Sequence, residues 1–186
     1  MSASWISDRF GTPRGALRLA LSYAELASGL SAQRKPDPAA VRRLVFVCHG
    51  NICRSAYADV LAARGGAKTA SFGLSTHTGV PAHAPVIALA TRRGLDLTAH
   101  RATDIDDFVP LDGDLLLAME TRHLRLLAAS PTVAHLPRVL LGTYARFPVP
   151  HLHDPYDLDD GYTDTCLARI ERAVAGLLRR YPSAAA

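Results

Sequence analysis

Cys48 and Arg54 are separated by five residues in Cys48-His49-Gly50-Asn51-Ile52-Cys53-Arg54, and Ser55 follows. The apolar run Val45-Phe46-Val47 ahead of Cys48 reads as a strand, and a helix is expected to begin at about Arg54. A loop this short between them can wrap its backbone N–H groups round one tetrahedral anion at the positive end of the helix. Those groups, the helix dipole and Arg54 are expected to hold Cys48 as the thiolate that attacks phosphorus. Arg54 presents a planar fork that matches two phosphate oxygens better than a lysine would. The expected cradle is His49, Gly50, Asn51, Ile52, Cys53, Arg54 and Ser55. Within it, Gly50 suits a left-handed or crowded backbone position, and Asn51 can bond the loop to itself. Ser55 can donate to the Cys48 sulfur and ease its departure. The C-x5-R spacing alone also fits a buried strand-end cysteine ahead of a helix-start arginine. No G-x-x-x-x-G-K-[ST] occurs, which disfavours nucleotide hydrolysis by that route.

Releasing a phenol or alcohol from phosphorus requires a proton on the leaving oxygen. Asp154, Asp157, Asp159, Asp160 and Asp164 crowd one segment before the last helix, and by residue type alone each is a candidate. The same cluster also fits an acidic loop that favours the helix dipole. His151 and His153 form an H-x-H pair beside Asp154, but no third ligand of suitable spacing is evident, so no metal site is expected. Cys166 falls beside Leu167 and Ile170 and reads as a packing residue.

The elements that must position these groups alternate in type. Strands are expected at Leu44–Cys48, Thr69–Phe72, Leu115–Met119 and Arg138–Thr143. Helical composition lies between them at Ser55–Arg64, Pro85–Arg93 and Thr121–Ala128. This predicts an α/β fold: a three-layer, open, doubly wound, four-stranded parallel sheet flanked by helices, with the phosphate loop after the first strand. The last helix carries an apolar stripe through Leu167, Ile170, Val174, Leu177, Leu178 and Tyr181, which should cover the sheet. Upstream, residues Pro13–Ser28 read as an amphipathic helix whose packing face is Leu17, Ala20, Leu21, Ala24 and Ala27. Gly29 stops it, and 31–40 reads as a linker, giving an N-terminal helical extension over 1–40 and a catalytic domain over 41–186.

A chain of 186 residues, 48% hydrophobic and 20% charged, can bury the core of one such domain. Its +4 charge is scattered rather than interleaved with aromatics, which disfavours a nucleic-acid partner and suits an anionic substrate. No apolar run long enough for a membrane span or signal core occurs, and three cysteines do not make a disulfide framework, so a cytoplasmic location is expected.

The string Cys-His-Gly-Asn-Ile-Cys-Arg-Ser closely resembles the C-x-G-N-x-C-R-S loop of the low-molecular-weight protein tyrosine phosphatases. From Val41 to about Pro182 further elements look similar. Ser71-Phe72-Gly73 resembles the family's S-A-G, Gly79-Val80-Pro81-Ala82 its G-x-P-A, and His100-Arg101-Ala102 its H-x-A. Met119-Glu120 with His123 resembles M-D-x-x-H, and Asp154-Pro155-Tyr156 the D-P-Y general-acid loop. The resemblance implies Cys48 as nucleophile, Arg54 as phosphate clamp and Asp154 as general acid, with no cofactor. It further implies Tyr156 and His77 at the pocket rim and a protective redox role for Cys53. A phosphotyrosine protein would be the substrate, such as the autophosphorylating tyrosine kinases of polysaccharide export on which bacterial relatives often act. Ala56, Phe72, Asp157 and residues 1–40 depart from the family pattern and bear on the pocket rim rather than the chemistry.

Three rivals share parts of this pattern. Arsenate reductase of the thioredoxin-coupled kind needs a further redox cysteine relay, and none lies between Thr69 and Leu136. Protein-arginine phosphatases carry threonine where this chain has Ile52, whose apolar bulk favours a phosphotyrosine ring. A non-catalytic phosphoprotein-binding module would need neither the Cys48 nucleophile nor the Asp154 acid.

Overall fold

Alternate residues of the first strand, β1 (Arg43–Cys48), feed two different cores. Leu44, Phe46 and Cys48 enter one, and Val45 and Val47 enter the other. The computed structural model describes residues 3–185, with side chains from 6 to 184. Parallel strands β2 (Thr69–Gly73) and β3 (Asp114–Ala118) flank β1, and β4 (Arg138–Leu140) pairs with β3, so the order is β2-β1-β3-β4. Helices α3 (Arg54–Arg64), α4 (Ala84–Arg92) and α6 (Asp160–Arg180) contribute to the first core. Helix α5 (Thr121–Ala129) contributes Leu124 and Leu127 to the second. A parallel strand buried on both faces must be apolar on both, which is why β1 reads as an unbroken hydrophobic run.

The expected four-stranded parallel sheet is present, with one shortened strand. β4 ends at Leu140, and Leu141–Tyr144 forms a 3₁₀ turn instead of continuing to Thr143. The chain folds back on itself there: Val149 donates its N–H to the Gly142 carbonyl at 2.9 Å. A Cβ on Gly142 would come within 1.9 Å of the Val149 carbonyl, so the turn needs glycine.

The N-terminal segment forms two helices, α1 (Ala3–Phe10) and α2 (Pro13–Ala27), of which only the second is legible from periodicity. Thr12 caps α2 by accepting the Gly15 N–H, and Pro13 fills the first turn, where no N–H is needed. The expected packing face of α2 is overturned. Leu17 is 60% exposed and Leu21 58%, while Gly15 and Ser22 are buried. Leu26 packs on the second core, and the rest of the contact is made by buried Gly15 and Ser22 and by two ion pairs, Arg18 with Glu120 and Glu25 with Arg125. Beyond it the expected linker is fastened to the sheet edge, where Arg34 and Arg138 exchange backbone hydrogen bonds of 2.8 Å. This covers a β4 edge that would otherwise present unpaired donors and acceptors.

Candidate active site

The loop between β1 and α3 is shaped by Asn51 rather than by Gly50. Asn51 takes the left-handed conformation (φ 52°) and is fully buried. Its side chain donates to Ser55 Oγ at 2.8 Å and accepts the Thr103 N–H at 2.9 Å. Its carbonyl lies 2.7 Å from His100 Nε2. Asparagine tolerates this backbone region because its short polar side chain bonds locally. A Cβ on Gly50 would make only ordinary contact with Ile52, at 3.5 Å. The tight glycine is Gly73 on β2, where a Cβ would lie 2.9 Å from the His49 carbonyl, so the loop can rest against β2 only if that residue has no side chain.

This loop surrounds the Cys48 sulfur with donors. The Asn51 N–H points at Sγ from 3.3 Å, and Ser55 Oγ lies 3.0 Å from it. No side chain caps the N-terminus of α3, which leaves its positive end facing the loop. Cys53 lines the same cleft as Cys48, and burial, followed by the neighbouring Cys48 charge, pushes its thiol far above the usual range. Cys166 is wholly buried, as expected of a packing residue, and its thiol is pushed up to about 12 by burial.

Arg54 is completely buried and held from three sides. Nη1 donates to Glu120 Oε1 at 2.6 Å and to the Leu152 carbonyl at 2.8 Å, and Nη2 donates to Asp154 Oδ2 at 2.5 Å. Nε has no partner. A buried guanidinium with one N–H unsatisfied is a donor in want of an acceptor, and an anion above Cys48 supplies one. Burial favours the neutral form of the Glu120 carboxyl, but the charge and hydrogen bond of Arg54 outweigh it, holding the group well below the usual carboxylate range. His123 and His151, packed on the same carboxylate, are lowered to about 3 and about 4 by burial, against the opposing pull of Glu120. Both rings are therefore neutral, and Glu120 is the counter-ion that steadies the clamp.

Asp154 stands across the cleft in the loop leading to α6. Its Oδ1 accepts the Tyr156 N–H at 3.3 Å, and Leu152 is pinned to the end of β3 by its N–H to the Met119 carbonyl at 3.0 Å. The cleft, about 170 Å³, is lined by Cys48, His49, Gly50, Ile52, Cys53, Asp154 and Tyr156. Of the other expected acids, Asp159 caps α6 by accepting the Tyr162 N–H, and Asp160 and Asp164 pair with Arg92 and Arg93. His77 is exposed and lies outside this lining. The ring beside Tyr156 is His83, at 4.8 Å between centroids, from the start of α4.

A second layer of contacts reaches this site from the N-terminal helices. His151 Nε2 and His153 Nδ1 lie 3.3 Å apart, and His153 Nε2 lies 3.1 Å from the Thr12 hydroxyl. His151 Nδ1 is 3.8 Å from Glu120, completing a path from the α2 cap to the Arg54 clamp. The H-x-H pair is thus spent on hydrogen bonds. Gly11 and Gly15 pack on His153, where a Cβ on either would come within 2.9 Å of its ring. Ser7 donates to Asp159 at 3.0 Å. Sequence reasoning missed the roles of Glu120, His83 and Thr12. Only Glu120 carried a usable signal, as a carboxylate directly after the carboxyl end of an apolar strand.

The family model described as low molecular weight phosphotyrosine protein phosphatase matches residues 43–184. The probable low molecular weight protein-tyrosine-phosphatase EpsP of Ralstonia solanacearum is 28% identical over 136 residues, covering 72% of this chain and 92% of that protein. The Escherichia coli low molecular weight protein-tyrosine-phosphatase Etp is 27% identical over 132 residues, 70% of this chain and 88% of its own. Among solved structures, the tyrosine phosphatase Wzb from Escherichia coli K30 in complex with sulphate superposes with a TM-score of 0.65 at 26% identity, covering 75% of this chain and 97% of Wzb. The YwlE arginine phosphatase from Geobacillus stearothermophilus has the same TM-score, 0.65, at 20% identity, which is a likeness of fold alone.

Proposed function

This chain belongs to the low molecular weight phosphotyrosine protein phosphatase family, and on that premise we propose that it hydrolyses phosphotyrosine through a cysteinyl-phosphate intermediate. The observation that carries this reading is that Cys48, its sulfur among loop donors, and Asp154 line one cleft, while the buried Arg54, with its open Nε, holds Asp154 by an ion pair. In the resting enzyme Asp154 occupies one arm of the Arg54 fork. An arriving phosphate competes for that arm and for Nε. Displaced from that arm, Asp154 is free to turn toward the leaving oxygen.

In the first step the Cys48 thiolate attacks phosphorus in line. The S–P bond forms, the P–O bond breaks, and Asp154 gives its proton to the departing phenolate. In the second, water attacks phosphorus while Asp154 takes its proton. The S–P bond breaks, phosphate leaves, and the thiolate returns, with Ser55 donating to the sulfur. Arg54 and the loop N–H groups stabilise the charge on the equatorial oxygens in both steps. Glu120 acts through Arg54 by holding Nη1.

Ile52 and Tyr156 in the cleft lining favour an aromatic leaving group over phosphoarginine. That Cys53 lines the same cleft as Cys48 supports a protective role for it through a reversible disulfide. We divide the chain into an extension over 1–40 and a phosphatase domain over 41–186. We propose a cytoplasmic location, supported by the lack of an apolar run long enough for a span or signal core and by three cysteines that make no disulfide framework. The substrate class is a phosphotyrosine protein, with an autophosphorylating tyrosine kinase as the partner to be sought.

Hydrolysis of p-nitrophenyl phosphate by wild type and Cys48→Ser tests the chemistry. Turnover by the first and none by the second is expected, and equal negligible rates would sink the reading. Phosphoproteomics of cells holding the Cys48→Ser trap should enrich phosphotyrosine proteins, and enrichment of phosphoarginine instead would overturn the substrate class.

A further inference from the structure

Helix α6 sorts its charges between two sides. Asp164 and Glu171 accept hydrogen bonds from Arg93, and Asp160 lies 3.6 Å from Arg92, so these carboxylates are engaged toward α4 and its C-terminal cap. Thr165, Arg169, Arg172, Gly176 and Arg179 follow the three- and four-residue spacing of a different stripe. That stripe is one wall of a groove of about 940 Å³. The second wall is the 142–149 turn with Arg146 and Phe147, and the third is the end of α1 with Asp8 and Arg9.

Five arginines line this groove against one aspartate, an excess equal to the +4 of the whole chain. Among the described residues, no carboxylate pairs with Arg146, Arg172 or Arg179, although α6 supplies acids that are used on its other side. Packing like charges into a concave surface opposes folding and focuses a positive field outward. The groove is also firmly built. A Cβ on Gly176 would come within 1.9 Å of the Tyr144 carbonyl, so the turn lies directly on α6, and Arg169 donates to the Arg9 carbonyl at 2.7 Å, tying α1 to the same wall. That α1 wall precedes residue 43, where the family match begins.

We propose that this groove docks an acidic stretch of the protein substrate, rich in Asp and Glu, while the phosphotyrosine occupies the Cys48 cleft. The word substrate rests on the phosphatase reading above, whereas the anion chemistry of the groove does not. From Arg169 to Arg179 the stripe runs about 15 Å along the helix, a span that about five residues of extended peptide match. Guanidinium forks pair with carboxylates two bonds at a time. Phe147, 78% exposed, offers one apolar contact at the rim. A narrow concave site with a single exposed ring suits a peptide better than the flat face of a bilayer or the stacked bases of a single-stranded nucleic acid. The acid loop feeds directly into α6, so the groove and the cleft share one rigid support.

The test uses the full chain and a fluorescein-labelled, unphosphorylated Glu-rich peptide, with binding followed by anisotropy. Wild type is expected to bind, more weakly as salt rises. The double variant Arg172→Glu/Arg179→Glu should bind at least tenfold more weakly, and Arg172→Ala/Arg179→Ala by an intermediate amount. Both should hydrolyse p-nitrophenyl phosphate as wild type does, which also shows that they fold. KM for a phosphotyrosine peptide with an acidic tail should rise in the variants, and KM for the tailless peptide should not. Equal binding of the labelled peptide by wild type and the charge-reversed protein, or none by either, would overturn the proposal. So would a single-stranded oligonucleotide or a phosphatidylserine vesicle that outcompetes the peptide through the same arginines. Peptide binding that depends on these arginines in a protein without phosphatase activity would instead overturn the catalytic reading and leave an anion-docking groove.

Discussion

The phosphate loop and the N-terminal helices bear on the same two residues, Arg54 and Asp154, by different physics. The loop is built over short stretches of chain: Cys48 meets Asn51 and Ser55, and Asn51 meets Ser55. The N-terminal helices act across the whole chain, through Thr12 on His153 and Ser7 on Asp159. A loop that must surround one anion can hardly vary its spacing, so its chemistry is written in a short string of residues. A brace that only has to press on a neighbour can be made of a threonine and two glycines, and no local pattern marks it. The loop supplies the reaction, and the brace holds the wall opposite.

The largest effect should come from the reacting group on the wall opposite the phosphate loop. Asp154→Asn removes the proton donor while keeping the shape of the acid loop, and kcat should fall by about 10² to 10⁴. The fall should be greatest for alkyl-like, poor leaving groups and smallest for p-nitrophenol, whose anion leaves without help. Steady-state kinetics across leaving groups of graded basicity measures this, and a loss independent of the leaving group would remove Asp154 from the acid role.

The same contrast explains what could be read in advance. Cys48, Arg54 and Ser55 follow from the loop spacing, and the strands from apolar runs that a doubly covered parallel sheet demands. Asp154 was one of five aspartates by residue type, and only its D-P-Y context singled it out. Gly50 was expected at the left-handed position, but Asn51 takes it because its side chain can also bond Ser55 and Thr103. The apolar side of α2 was expected to pack, yet the surface it meets carries Glu120 and Arg125, so the helix turns its small and charged side inward. His83 rather than His77 reaches Tyr156, since α4 begins beside the cleft while the loop after β2 runs out into solvent. These outcomes depend on which surfaces meet, and that is a property of the fold rather than of any window of sequence.

Pressing on the brace should have a smaller effect of a different kind. Gly15→Val drives a side chain against the Phe10 carbonyl as well as into the His153 ring, so it displaces the α1–α2 turn together with the packing on His153. We expect kcat to fall on the order of tenfold with little change in KM, because the wall carrying Asp154 shifts while the phosphate cradle stays. Cys48 should keep its rate of alkylation by iodoacetamide. A matching loss of alkylation would mean that the two regions are not separable.

Acid should act first on the buried histidines packed against Glu120. His123 and His151 have folded pKa values of about 3 and about 4, below the ordinary 6.5. Below pH 6.5 the unfolded chain therefore takes up protons that the folded chain refuses. Stability is full above pH 6.5 and falls as pH drops toward 4, by up to about 1.4 kcal/mol per pH unit for each histidine. Urea unfolding at pH 7 and pH 5 measures the slope. His151→Gln should flatten it by roughly half, and an unchanged slope would show that His151 does not carry the dependence.

The smallest effect, and the sharpest separation of the two regions, is expected from Thr12→Val. The substitution keeps the shape of the side chain but removes the oxygen that caps α2 and reaches His153. Loss of a helix cap costs about 1 kcal/mol. That cost should appear as a lower urea midpoint, since the cap orders α2 and the contacts α2 makes with Glu120 and Arg125. Activity should change by no more than about twofold, since Gly15 still packs on the ring and His151 still lies between it and Glu120. Thr12→Ser restores the oxygen and should restore the midpoint. If Thr12→Val instead lowers kcat as far as Gly15→Val does, the hydroxyl sets the orientation of His153, and the brace works through that hydrogen bond rather than through packing.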